Sequence, residues 1–140
     1  MLPYRDKCLF IAGGDVVGNA AATMVEYPAF ERQFYGWPVA YVAQNGAETL
    51  PIPATCAAVF IGGDTQWKMS AAATSVIKRA QVMGKHVHIG RVNYKSRYQH
   101  FRVIEGSERF TCDGTRIRFE RDKAIVDWYG YQLQNPLFGF

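Results

Sequence analysis

Short runs of consecutive apolar residues recur along this chain, and each is cut off by a polar or glycine-containing break. Residues 8–12 end at Gly13-Gly14-Asp15, residues 39–43 at Gln44-Asn45-Gly46, and residues 57–61 at Gly62-Gly63-Asp64. Two further short runs, less purely apolar, are residues 86–90 (His-Val-His-Ile-Gly), ending at Arg91-Val92-Asn93, and residues 110–112 (Phe-Thr-Cys), ending at Asp113-Gly114-Thr115. Strands that are apolar without alternation are buried on both faces, as in parallel sheets. Parallel strands need long crossovers, and longer amphipathic segments lie where those crossovers belong. One runs from about Asn19 to Tyr35. Another opens at Ser70, a plausible N-cap, and is stopped by Gly84, with Val76, Ile77, Ala80 and Met83 at helical spacing. Further helices are expected from about Lys95 to Ile104 and from Arg121 to Leu133, with an irregular link or short helix around Pro51 and Pro53. Five such units predict a single α/β domain over residues 1–140, either a parallel sheet or a section of a (β/α) barrel.

With 140 residues, 49% apolar and 20% charged, the chain has the size and composition of one globular domain. No apolar run approaches the ~18 residues of a membrane span, and the first residues lack a secretory layout. Cys8, Cys56 and Cys112 are too scattered for a zinc knuckle or a disulfide framework, so free thiols in a reducing, cytoplasmic compartment are expected, with no metal and no cofactor. The net charge of +4 permits contact with nucleic acid without demanding it. Its basic residues concentrate between Lys78 and Arg121, either as a solvated helix surface or as a face that follows phosphates.

In either α/β architecture ligands bind beyond the carboxyl ends of the strands. Asp15, Gln44, Gly62, Gly63, Arg91, Asn93 and Asp113 are therefore expected to converge there. A carboxylate accepts from a nucleobase N–H or attacks an electrophilic carbon, and a carboxamide offers one donor and one acceptor edge. A glycine pair lets a flat ligand approach the backbone, and arginine holds phosphate or carboxylate. The same residue types also turn the chain and cap helices. Trp67 and Lys68 are expected either to cover a ligand or to shield the sheet. His86 and His88 are expected to point to opposite faces of their strand and so not to pair as metal ligands. His100 falls on a helix. No dinucleotide fingerprint, phosphate-binding loop or nucleophile elbow occurs.

The succession Asp15-Val16-Val17-Gly18, Val42-Ala43-Gln44-Asn45-Gly46, Phe60-Ile61-Gly62-Gly63, His88-Ile89-Gly90-Arg91-Val92-Asn93 and Cys112-Asp113-Gly114-Thr115 resembles the C-terminal part of the tRNA-guanine transglycosylase-like barrels. The resemblance is nearest to their short, often phage-encoded relatives linked to deazaguanine insertion into DNA. It implies a partial or modified TIM-like barrel acting in the cytoplasm, for a phage protein that of the host. It implies base recognition by Asp15 and Gln44, backbone contacts from Gly62 and Gly63, and a nucleophilic Asp113. The partner would be a nucleobase, a nucleotide or nucleic acid, and the reaction base exchange on guanine or 7-deazaguanine. Only five of the family's eight βα units are readable, its zinc cysteines are missing, and Trp67-Lys68 stands where its tRNA enzymes carry an acidic residue. A non-catalytic nucleobase- or nucleotide-binding protein and an N-glycosidase use the same pocket and remain alternatives. The barrel is expected to be completed by a second copy, by a separate subunit or by the chain's own ends, with Trp128, Tyr129, Tyr131, Phe138 and Phe140 available for that interface.

Overall fold

A computed structural model describes residues 2–104, 110–116 and 123. The helix expected at 121–133 and the aromatic tail lie outside the described residues. Four parallel strands stand side by side in chain order: β1 (Ala40–Ala43), β2 (Ala58–Ile61), β3 (His86–Ile89) and β4 (Phe110–Cys112). The register pairs Val42 with Phe60, Phe60 with His88, and His88 with Thr111. Helix α1 (Ala20–Gln33) precedes β1, α2 (Thr65–Lys68) and α3 (Ala71–Val82) connect β2 to β3, and α4 (Lys95–Arg102) lies between β3 and β4. The parallel α/β class expected from the apolar runs is what the chain adopts.

The first expected strand is reduced to one bridge, Ile11 with Val39. Ile11 makes both its backbone bonds there, donating to Pro38 (2.7 Å) and accepting from Ala40 (2.8 Å). A 3-10 helix over Leu2–Lys7 leads straight into this segment, and its closing turn bonds Cys8 N–H to the Arg5 carbonyl (3.0 Å). The link carrying the two prolines is a 3-10 helix, Ala47–Thr49, followed by irregular chain. The Arg79 guanidinium holds it by donating to the Leu50 and Ala47 carbonyls (2.9 and 3.1 Å).

The helix starts follow local chemistry. Asn19 caps α1 by accepting from Ala22 N–H (3.0 Å), and Ser70 caps α3 by accepting from Ala73 N–H (3.5 Å). Gly84, at φ +71°, takes the left-handed turn that ends α3. Ala73, Val76, Ile77 and Ala80 form the buried face of α3, whereas Met83 has turned out to the surface. This stripe packs on the sheet face made by Val59, Ile61, Val87 and Ile89. Burying each of the larger aliphatic side chains there contributes roughly 1.5–3 kcal/mol.

The opposite face carries Phe60, His86, His88 and Thr111. Phe10, beside the Ile11 bridge, lies against it, with its ring 5.2 Å from His88 and 6.3 Å from Phe60. Two strands separate Phe10 from β3, and strands are spaced about 4.8 Å apart. The Phe10 ring therefore reaches from the Ile11 segment across this face of the sheet. Among the described residues no helix is long and apolar enough to cross a membrane.

Candidate functional site

At the carboxyl ends of the strands lies a cleft of about 400 Å³, lined by Asp15, Gln44, Gly62, Gly63, Lys68, Arg91 and Asp113. Seven of the eight expected site residues therefore meet on one face. Asn93 does not join them. Its Oδ1 accepts from Thr115 N–H (2.7 Å) and Arg116 N–H (3.2 Å), so it fastens the turn that follows Asp113.

Gln44 is 3% exposed and its carboxamide is already engaged. Oε1 accepts from Gly18 N–H (3.0 Å) and Gly63 N–H (2.9 Å), while Nε2 donates to Asp15 Oδ2 (2.8 Å). These bonds give Gln44 a positioning role, and its second Nε2 hydrogen is left for the expected base edge at the cleft wall. Gln44 ties the loop after residue 12, the glycine turn and the Asp15 carboxylate into one frame. The glycine pair departs from expectation too. Gly62 N–H donates to the Ala43 carbonyl (2.9 Å), so neither amide is free for a ligand carbonyl. Glycine is required here for space. A Cβ on Gly63 would stand 2.6 Å from Trp67 Cε3, on a backbone at φ +70°. Trp67 itself is buried and donates to Glu48 Oε2 (2.8 Å), which shields the sheet instead of covering the cleft.

Asp113 follows β4 directly. Its Oδ1 accepts from Arg91 N–H (2.9 Å) and its Oδ2 lies 2.9 Å from His88 Nε2, with the carboxylate side chain half exposed. Partial burial pushes its pKa up, but the Arg91 amide, His88 and the Lys68 charge outweigh that, and the net shift is downward. Arg91 reaches this position with φ +57°, a left-handed conformation uncommon outside glycine. Asp113 is thus an ionised carboxylate at the cleft's mouth.

The histidines depart from the expectation that they point to opposite faces. Residues two apart in a strand share a face, so His86 and His88 point the same way. Thr111 Oγ1 lies 2.8 Å from His86 Nε2 and 2.7 Å from His88 Nδ1. Asp113 only accepts, so His88 donates from Nε2. In a neutral His88 ring Nδ1 then accepts from the Thr111 hydroxyl, and Thr111 accepts from His86. A continuous chain of hydrogen bonds runs from His86 to Asp113. The period-two spacing of His86, His88 and the pairing partner Thr111 carried that signal.

Lys68, the last residue of α2, is 3% exposed and donates from Nζ to the Gly90 carbonyl (2.5 Å). Burial, with the nearby charges of Arg91 and Arg97, brings its pKa down to about 8. The three cysteines are free, and among the described residues no group of three His, Cys, Asp or Glu side chains is placed to hold a metal ion.

Fold and site together define a parallel α/β protein with a carboxylate-centred cleft at its strand ends. No family model, curated protein or solved structure matches the chain.

Proposed function

We propose that this cleft binds a guanine-type base and that Asp113 exchanges it, as a base-exchange glycosyltransferase or a subunit of one acting on guanine or 7-deazaguanine in nucleic acid. The observation that carries the proposal is the Asp113 carboxylate, kept ionised at the mouth of the cleft with each oxygen accepting one bond. A lone pair remains on each oxygen for attack. One of them attacks the sugar C1′ as the C1′–N bond breaks. The bonding pair leaves with the base, which takes a proton from solvent. An incoming base then attacks the same carbon, loses its proton and releases Asp113. Two displacements at one carbon retain its configuration. A target base in a duplex has first to be flipped out.

We further propose that the sheet is a section of a (β/α) barrel completed by a second copy or a separate subunit. The chain-order neighbours, all parallel, and the Phe10 ring lying across the sheet against His88 support this reading. A protein that stays monomeric by sedimentation at every concentration, alone and in its native extract, would count against completion.

A second reading, a protein that binds a nucleobase or nucleotide without cleaving it, is favoured by the two hydrogen bonds already made to Asp113, which blunt its nucleophilicity. Intact-protein mass spectrometry with guanine-containing DNA, RNA and nucleotides separates the two. A glycosyl adduct that disappears in Asp113→Asn supports exchange, and base release without incorporation makes water the acceptor. Bound ligand with neither adduct nor base release, in the pure protein and in its native extract alike, defeats the catalytic reading.

A further inference from the structure

We propose that Lys68 forms an oxyanion subsite in the cleft, taking a carboxylate or phosphate group carried by the ligand. The inference deepens the nucleobase reading and rests on it for the identity of the ligand, though not for the presence of the subsite.

An ammonium group has three donors, and Lys68 directs one of them to the Gly90 carbonyl. Its side chain is buried, it lines the cleft, and among the described residues no carboxylate forms an ion pair with it. A buried charge without a counter-charge is costly, and folds retain one where a partner arrives from outside or where it serves a site.

The surroundings add to the positive field. Arg91 lines the same cleft, and Arg97 donates to the Arg91 carbonyl (3.3 Å). The two guanidinium charges act on Lys68 more strongly than the opposing charges of Asp113 and Asp64. Asp113 is occupied by the Arg91 amide and His88, and Asp64 by the Trp67 amide (2.8 Å) and Asn45 (2.8 Å). These bonds leave both carboxylates charged but hold them on other partners, and the net field at Lys68 stays positive, while Asp15 and Gln44 give the cleft a hydrogen-bonding side without cations. A ligand that matches this asymmetry carries a hydrogen-bonding ring and one anionic group.

That group could belong to the base or to the sugar, and calorimetry separates the sources. Guanosine is compared with guanosine 5′-monophosphate, and 7-deazaguanine with its 7-carboxylate. One anionic member is expected to bind about ten- to hundredfold tighter than its neutral parent, the range of a hydrogen bond to a charged group. The preference is expected to vanish in Lys68→Met and Lys68→Gln with the neutral parent unaffected. Equal binding of all four, or a preference that survives both substitutions, overturns the subsite. Should none of the four bind, the nucleobase reading fails by itself. The Lys68 13Cε resonance of the wild-type protein, titrated with inorganic phosphate and with acetate, then decides the subsite. A saturable shift upholds it, and an unmoved resonance removes it. The same titration decides the matter if the variants fail to fold.

Discussion

His88 Nε2 lies 2.9 Å from Asp113 Oδ2, and this contact joins the sheet face that carries Phe60 and His88 to the mouth of the cleft. It makes Asp113 the end of a hydrogen-bonded chain through Thr111 to His86. Replacing His88 with phenylalanine keeps the ring that packs on Phe10 and Phe60 and removes the donor. The Asp113 carboxyl pKa is expected to rise, because one of the interactions holding it down is lost. Carboxyl 13C titration of Asp113 in wild type and His88→Phe reads this directly. An unchanged midpoint would mean that the Arg91 amide and the Lys68 charge set the ionisation without His88.

Gln44 supports a sharper test, because its two ends face different partners. In Gln44→Glu the group facing Asp15 Oδ2 becomes an oxygen, which sets two carboxylates about one hydrogen-bond length apart. The variant is expected to be destabilised at neutral pH by about 2–4 kcal/mol and to recover in part near pH 4, where one of the pair takes a proton. Urea unfolding at the two pH values measures both parts. Equal destabilisation at both would show that the amide's role is steric.

Acid sensitivity follows from two groups whose pKa is lower in the fold. Burial, then the neighbouring His88, lowers His86, and the contacts already described lower Asp113. Both bind protons more readily when unfolded, so the unfolding free energy falls as pH falls. The His86 contribution is expected to decline below about pH 6.5 and that of Asp113 below about pH 4, the ordinary values of the two side chains. Denaturant midpoints at pH 7, 5.5 and 4 follow the loss. His86→Gln is expected to flatten only the upper part, and an unaltered profile in that variant removes His86 from the account.

Two glycines separate backbone strain from crowding. Gly18 and Gly63 both have left-handed φ, +73° and +70°, but a Cβ at Gly18 meets nothing within 4 Å, whereas one at Gly63 meets the Trp67 ring at 2.6 Å and Asn45 Oδ1 at 2.8 Å. Gly18→Ala is expected to cost about 1–2 kcal/mol from conformation alone. Gly63→Ala adds overpacking of roughly 1–3 kcal/mol. Thermal unfolding of both variants gives the difference, and equal losses would mean that the Trp67 shelf yields freely.

The sequence made the strands and the meeting of the cleft residues legible because both depend on local pattern. Continuous apolar runs mark parallel strands, and the residue after each run lands at the carboxyl end wherever the sheet forms. Ser70 and Gly84 carried their helix boundaries in their own chemistry. What a residue does at the site was harder to read, since that depends on partners distant in the chain. Gln44 looks like a ligand contact alone, yet Gly18, Gly63 and Asp15 also engage both ends of its carboxamide. Asn93 sits at a strand end like the others, yet its acceptor turns to the 115–116 amides. The strand at residues 8–12 shrank to a bridge because its hydrogen bonding to β1 stops at Ile11.

Lys68 makes a prediction at the opposite end of the pH scale. Its pKa of about 8 lies below the ordinary value of lysine, so between the two the unfolded chain holds a proton that the folded chain has released. Unfolding free energy then rises with pH over that window, by about 3 kcal/mol at most for the shift involved. Buried groups with raised pKa, such as Tyr27, Tyr41, Cys56 and Cys112, act the other way as they ionise in the unfolded chain. The informative quantity is therefore the difference between Lys68→Met and wild type. Methionine fills a similar volume without a charge to desolvate, so the variant is expected to gain most over wild type at pH 7 and progressively less towards pH 10. A difference that stays constant from pH 7 to pH 10 would show that Lys68 titrates as an ordinary lysine. The ammonium would then be better solvated than its 3% exposure implies.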